Sequence, residues 1–273
     1  MLSDCIYYVR WDISPEAFSV IGLHMRYYSL FLIVAFISAA FVFYTILKRE
    51  NKSLFLLPVT FNTLFLASLV GARLGECIFY FPDYYMRNPL EIFIPYHNGE
   101  YVGIGGLSSH GAALVIIPAL ILTARNNKIS TYWLIDRVCV VVPLAAFFIR
   151  IGNLMNSEIV GTETDIFWGF IFERRNEDFP RHPVQLYEAL CYLCIFIFIY
   201  RFYKIKQDKI TGGIILGLFL VLTFFLRFIL EMFKAPLNDF DRNSIFSIGQ
   251  YLNLFFSFTG AALLYLRSSR FNN

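Results

Sequence analysis

Charge is scarce in this sequence: 16% of its 273 residues are Asp, Glu, Lys or Arg, where a soluble domain carries about a quarter. It has no long basic run and a net charge of only +3, which excludes a nucleic-acid-binding surface as well as a soluble or disordered chain. The five cysteines are odd in number and scattered through apolar stretches, so there is no disulfide framework. The apolar stretches are long and continuous, without the alternation that an outer-membrane barrel requires. No internal repeat, low-complexity tract or linker interrupts the chain, and one integral-membrane domain over 1–273 is expected. What the chain has in quantity is apolar: 58% hydrophobic residues, with 31 Phe and 17 Tyr. The fold class left is all-α, a polytopic membrane protein.

A bilayer core takes roughly 20 mostly apolar residues per helix. Seven segments qualify, near 21–47, 54–81, 104–124, 131–155, 184–203, 211–233 and 246–266. The first is too long for a cleaved signal peptide, follows Asp4 instead of a basic lead-in, and ends in Lys48-Arg49. With the N-terminus outside, the inner loops hold eleven Lys and Arg against two acids, Glu50 and Asp208. The outer side then holds seven basic residues, Lys234 among them, against about 14 acids. The expected topology is N-terminus outside, C-terminus cytoplasmic. Inner connections are short, whereas the outer ones near 82–103 and 156–183 are long. Loops of that length are functional or disordered. The aromatic stretch Ile166–Phe172 reads as an ordered lid or an interfacial hairpin, so the working side faces outward.

Five arginines (Arg26, Arg73, Arg137, Arg150, Arg227) and four acids (Glu76, Asp136, Glu188, Glu231) fall within the spans. Each costs at least ~2.5–3.5 kcal/mol at bilayer depth, so each calls for a partner or a purpose. Arg26 can snorkel from the outer end of the first span, and Asp136 and Arg137 can reach the inner headgroups or pair with neighbours. Arg150, Asn153 and Asn156 recur at helical spacing near the outer end of the fourth span, and Arg227 and Glu231 share a face of the sixth. Two readings stay open for this pair of arginines. One is internal ion pairing, Arg227 with Glu231 and Arg150 with an acid elsewhere. The other is a guanidinium clamp on a phosphate, for which the nearest source is a phospholipid headgroup.

His110, flanked by Gly105-Gly106 and Gly111 where an outer loop enters the third span, is either a satisfied structural histidine or a general base. The block His182-Pro183-Val184-Gln185-Leu186-Tyr187-Glu188 puts His182 near the start of the fifth span and reads as architecture and arginine pairing. Cys191 and Cys194, like Cys77 and Cys139, read as buried packing thiols. Gly71-x-x-x-Gly75 and Gly213-x-x-x-Gly217 read as close helix crossings. Gly103-Ile104-Gly105 is no nucleotide fingerprint, because no strand precedes it. The candidate metal ligands are too scattered to imply a metal, and nothing calls for a cofactor.

Taken in order, these strings resemble the prolipoprotein diacylglyceryl transferase family of bacteria. The resemblance rests on Arg150-Ile151-Gly152-Asn153-Leu154-Met155-Asn156-Ser157-Glu158 with Gly161, on Arg26-Tyr27-Tyr28, and on Gly106-Leu107-Ser108-Ser109-His110-Gly111. It rests also on Arg181-His182-Pro183 with Gln185-Leu186-Tyr187-Glu188, on Arg227 with Glu231, and on Ser247-Ile248-Gly249-Gln250. The chain departs from the family where glycine often stands at the position of Ser157, and where Trp and Gly often surround the tyrosine that here lies between Tyr27 and Ser29.

The resemblance implies transfer of a diacylglyceryl group from phosphatidylglycerol to the thiol of a lipobox cysteine in a prolipoprotein, releasing glycerol phosphate. It implies a multi-pass protein of the bacterial cytoplasmic (inner) membrane, with membrane lipid as its surroundings and its active site toward the outer leaflet. His110, Arg150, Arg227 and Tyr28 are the catalytic positions it implies. Arg150, Asn153, Asn156, Glu158, Gly161, Arg227 and Glu231 are those implied for the lipid. In the chemistry that follows, His110 takes the thiol proton while Arg150 and Arg227 hold the phosphate. A small-solute transporter is the rival reading, although no internal repeat supports it. An intramembrane protease lacks its residues, since Asp136 is the one aspartate within a span.

Overall fold

The computed structural model describes residues 8–20, 23–93, 96–97, 100–101, 108–206, 212–236 and 244–268. The glycines at 103, 105 and 106 singled out in the sequence lie outside these residues. The fold is mostly helical, with eight helices and no closed barrel among the described residues. Long helices α1 (Tyr27–Arg49), α2 (Leu56–Gly75), α4 (Ser109–Asn126), α5 (Thr131–Met155), α6 (Val184–Lys206), α7 (Ile214–Glu231) and α8 (Ile248–Ser268) overlap the seven apolar segments. The eighth, α3 (Pro82–Arg87), is short and follows a π-helical turn at Glu76–Tyr80. Five of these stretches are long and apolar enough to cross a bilayer: Tyr27–Arg49, Leu56–Tyr80, Thr131–Met155, Val184–Lys206 and Ile214–Glu231. Their outward faces carry large apolar side chains such as Ile37, Phe41, Leu66, Phe198 and Phe225. Continuous exposed apolar surface of this kind suits lipid and not water.

The chain packs as two units, residues 1–43 with 138–273 and residues 44–137. In the second unit, α2 and α4 cross at glycines. A Cβ built on Gly75 would stand 2.5 Å from the Cα of Gly111, and one on Gly71 2.6 Å from the Gly111 carbonyl oxygen. The expected crossing at Gly71 and Gly75 is therefore real, and its partner is the glycine that follows His110. At the start of α4, Ser108 caps the helix by accepting from the Gly111 N–H at 3.2 Å. Arg73 turns to backbone carbonyls, with Nη2 donating to Glu91 at 2.6 Å and Nε to Ile92 at 3.1 Å. Near the other end of the unit, Arg137 Nε meets Glu50 Oε1 at 2.7 Å, both nearly buried, and Trp133 Nε1 donates to the second Glu50 oxygen. Glu50, in the turn after α1, is thus a buried ion-pair partner.

In the first unit, β1 (Val9–Trp11) runs parallel to the strand Phe170–Phe172, and Phe170 also bridges Arg181 antiparallel. Trp11 packs on Phe170 beside Leu154, Val160 and Phe172, and its Nε1 donates to the Leu154 carbonyl at 3.1 Å. The aromatic loop is ordered by this long-range pairing. β2 (Glu16–Val20) and β3 (Leu23–Arg26) form an antiparallel pair before α1. Arg26 accordingly sits exposed at a strand end and not in the first span, because the alternation of polar and apolar residues there has the period of a strand.

Helices α7 and α8 pack closely where Gly217 faces Leu264 and the Gly260 carbonyl. Gly213 caps α7 with φ 99°, a left-handed conformation that suits glycine. Ser247 and Gln250 form a capping box on α8, in which Ser247 Oγ accepts the Gln250 N–H at 3.1 Å and Gln250 Oε1 accepts the Ser247 N–H at 3.0 Å. Of the cysteines, Cys77 and Cys139 are buried as expected, whereas Cys191 is half-buried and Cys194 exposed.

Candidate active site

The end of α5 shapes the site. Ser157 has φ 53°, its N–H reaches the Leu154 carbonyl at 3.0 Å, and the Glu158 N–H reaches that of Asn153 at 3.1 Å. This is a Schellman turn with Ser157 in the left-handed position where glycine is favoured. The reversal folds Glu158 back over the last turn of its own helix. Its Oε1 accepts from Asn153 Nδ2 at 2.7 Å and from Asn156 Nδ2 at 3.4 Å. Asn153 Oδ1 in turn accepts from Arg150 Nη1 at 3.0 Å. Helical spacing thus joins Arg150 to Asn153, and the turn adds Asn156 and Glu158.

Arg150 Nε forms an ion pair with Glu188 Oε2 at 2.8 Å, with side-chain exposures of 11% and 1%. The acid expected elsewhere for Arg150 is Glu188, one turn into α6. Gln185, three residues earlier on the same face, is fully buried and donates to the Glu158 carbonyl at 2.6 Å. The buried Gln185 Oε1, Asn156 Oδ1 and Ser157 Oγ have no hydrogen-bond partner among the described residues, an uncommon cost in an interior.

Arg227 on α7 donates from Nη1 to Tyr192 Oη at 3.1 Å and feels the charges of Glu188 and Glu231. Glu231, four residues from Arg227, accepts a hydrogen bond from Lys234 Nζ at 2.8 Å. Lys234 also forms an ion pair with Glu188 Oε1 at 3.1 Å. Glu188 therefore takes Arg150 on one oxygen and Lys234 on the other. Sequence reasoning misses Lys234, because it counts there as an outer-loop base. Half its signal is local, since Glu231, the last residue of α7, lies only three residues before it. The other half, Glu188, lies on a different helix.

Gly161 is pinned between two backbones. A Cβ there would lie 2.5 Å from the His182 carbonyl oxygen and 2.7 Å from that of Phe233. Its own N–H donates to His182 at 3.0 Å, its carbonyl accepts from Arg181 Nη1 at 3.0 Å, and it bridges Lys234. Tyr28, in the first turn of α1, lies against Gly152 and feels the charges of Glu158 and Arg150. Arg150, Asn153, Asn156, Glu158, Arg227, Glu231, Gly161 and Tyr28 all belong to the first unit. His110 belongs to the second, buried in the first turn of α4.

Around this cluster the loop is fastened by Arg181, whose guanidinium donates to Glu177 at 2.6 and 3.1 Å. Burial pushes the Glu177 carboxyl up, but the hydrogen bonds and charges of Arg181 and Arg175 outweigh it and hold it below the usual carboxylate range. Burial lowers the His182 imidazole, which favours its neutral form beside Tyr187.

The arrangement is a nearly buried set of guanidinium, ammonium, carboxylate and amide groups next to apolar helix faces. Such a set can hold an anion that is brought in by lipid. The sequence profile described as prolipoprotein diacylglyceryl transferase matches residues 15–266. A phosphatidylglycerol–prolipoprotein diacylglyceryl transferase of Chloroherpeton thalassium is 37% identical over 259 residues, covering 94% of each chain. Proteins of the same name from Bacteroides fragilis and Tolumonas auensis are 36% and 34% identical, covering 94% of this chain and 94% and 96% of theirs. With a buried charge cluster built from the strings that carry the resemblance, and a match over most of its length, one conclusion is left: the chain belongs to the prolipoprotein diacylglyceryl transferase family.

Proposed function

We propose that this chain moves the diacylglyceryl group of phosphatidylglycerol onto the thiol of a lipobox cysteine in an exported prolipoprotein. The observation that carries the mechanism is that Arg150 and Arg227 meet the same face of α6, one at Glu188 and the other at Tyr192, four residues on. The sulfur attacks the glycerol carbon that bears the phosphate. A C–S bond forms, the C–O bond breaks, and glycerol phosphate leaves with the bonding electron pair. Arg150 and Arg227 hold the phosphate and offset the negative charge that grows on it, in surroundings where water screens little.

Asn153 and Asn156 bind headgroup oxygens, while Glu158 and Glu231 orient the groups that do so. Gly161 keeps the loop close to the cluster, and Tyr28 orients the phosphate. His110 accepts the thiol proton, a modest step from a thiol of pKa ~8.5 to an imidazole of ~6.5. In this reading the chain crosses a bacterial cytoplasmic (inner) membrane seven times, N-terminus outside, with the site toward the outer leaflet. The excess of Lys and Arg in the loops on the C-terminal side supports that orientation. A solute carrier has no support from the comparisons, whose matches bear a transferase name.

The test is thioether formation between phosphatidylglycerol and a lipobox peptide. Arg150→Lys and Arg227→Lys keep the charge but lose the planar fork, and each is expected to lower the rate by roughly 100-fold or more. Wild-type rates in Arg150→Ala and Arg227→Ala would remove the phosphate clamp. Consumption of phosphatidylglycerol separates a transferase from a transporter, which leaves lipid chemistry unchanged.

A further inference from the structure

Lys234 stands outside the residues assigned above. Its ammonium is held between two carboxylates from different helices, Glu188 Oε1 at 3.1 Å and Glu231 Oε2 at 2.8 Å, and its side chain is only 11% exposed. Its backbone is fixed independently, through the bridge to Gly161 and the flanking bonds from Thr162 N to Phe233 O at 2.8 Å and from Ala235 N to Val160 O at 3.3 Å. The side chain is thus delivered to the cluster by the same loop contact that closes over it.

With Lys234 the cluster holds, among the described residues, three cations, Arg150, Arg227 and Lys234, and three carboxylates, Glu158, Glu188 and Glu231, with Arg150 and Lys234 in ion pairs to Glu188 and Lys234 in a second one to Glu231. Without it, carboxylates outnumber cations, and the excess negative charge opposes any incoming phosphate in a poorly screened interior. The geometry adds a second effect. Arg150 spends Nε on Glu188 and Nη1 on Asn153, so its fork is divided between two partners. A Glu188 with no ammonium on Oε1 is free to turn and take the guanidinium in a two-point grip, the geometry that carboxylates prefer with arginine.

We propose that Lys234 is a positioning residue for phosphatidylglycerol: by occupying Glu188 and Glu231 together it keeps the cluster neutral before the lipid arrives and keeps Arg150 available to the headgroup phosphate. The proposal rests on the transferase reading and adds to it a determinant of lipid capture. It acts through Arg150, so its signature is in saturation by lipid more than in turnover.

The experiment measures thioether formation by the full chain in mixed micelles, with the mole fraction of phosphatidylglycerol varied at saturating lipobox peptide. Lys234→Gln retains N–H donors for both carboxylates but no charge, and is expected to raise the half-saturating lipid fraction about tenfold or more. Lys234→Arg restores the charge and is expected to stay within about threefold of wild type. A second pair tests the charge balance without relying on a single variant. Lys234→Met combined with Glu231→Gln loses one charge of each sign, and is expected to saturate at a lower lipid fraction than Lys234→Met alone. Wild-type saturation in Lys234→Gln, equal defects in the Gln and Arg variants, or no gain in the double variant would each overturn the proposal. Thermal unfolding in the same detergent identifies a variant lost to misfolding, and the remaining pair then decides. A wild-type chain that formed no thioether would sink the transferase reading itself, a distinct outcome.

Discussion

Arg150 and Glu188 stand 2.8 Å apart, Nε to Oε2, on helices joined by the long loop that closes over them, with 1% of the carboxylate side chain exposed. An ion pair this buried gains little net stability, because desolvating both charges costs nearly what their attraction returns. Breaking it is another matter. Glu188→Gln leaves Arg150 and Lys234 without their shared counterion, and is expected to destabilise the fold by roughly 3–5 kcal/mol. Chemical or thermal unfolding in detergent measures this, and an unchanged midpoint would mean that Glu188 is solvated in the folded protein.

His110 is buried in the first turn of α4, at a helix start capped by Ser108. If it accepts the thiol proton, His110→Ala and His110→Gln lower thioether formation by roughly 100-fold or more at neutral pH. Residual activity then climbs with pH as the substrate thiol, of pKa ~8.5, ionises unaided. Wild-type rates in both variants would assign His110 a structural role.

The left-handed Ser157 offers a test in the opposite direction. An L-residue at φ 53° is strained, and the Ser157 Oγ is buried with no hydrogen-bond partner among the described residues. Ser157→Gly is expected to stabilise the protein by about 1 kcal/mol and to leave the Schellman turn intact. A lower unfolding temperature in the glycine variant would show that the hydroxyl has a partner the turn provides.

Helix packing in the second unit has no such slack. A methyl group on Gly111 would meet the Gly71 carbonyl oxygen and, at 2.5 Å, the Cα of Gly75. Gly111→Ala must therefore push α2 and α4 apart, at a cost of roughly 1–3 kcal/mol. Because His110 is the preceding residue, activity is expected to fall with it. A variant as stable as wild type would show that the two helices separate without penalty.

The Glu177–Arg181 clasp predicts a pH effect on stability. The Glu177 carboxyl is held below the usual carboxylate range, so its contribution is complete above the unfolded-state pKa. It declines as pH falls below that value and is gone once pH has passed the lowered folded-state value. Glu177→Gln removes this part of the acid slope in thermal unfolding. Parallel pH profiles for the two proteins would exclude the clasp as a source of acid sensitivity.

Much of this molecule is local and readable in order. Long apolar runs dictate helices, because a chain in lipid must satisfy its own backbone. Helical spacing joins Arg150 to Asn153, and the glycine motif on α2 marks a crossing. Tertiary structure decided which charge meets which. Glu188 rather than a neighbour answers Arg150, Lys234 leaves the outer loop to join Glu188 and Glu231, and Glu50 becomes the buried partner of Arg137. The strand pairing of Val9–Trp11 with Phe170–Phe172 is likewise invisible from either segment alone. The physical reason is range. Backbone preference and helical period act over a few residues, whereas a charge selects its partner by distance in space, and only the packed helices set that distance.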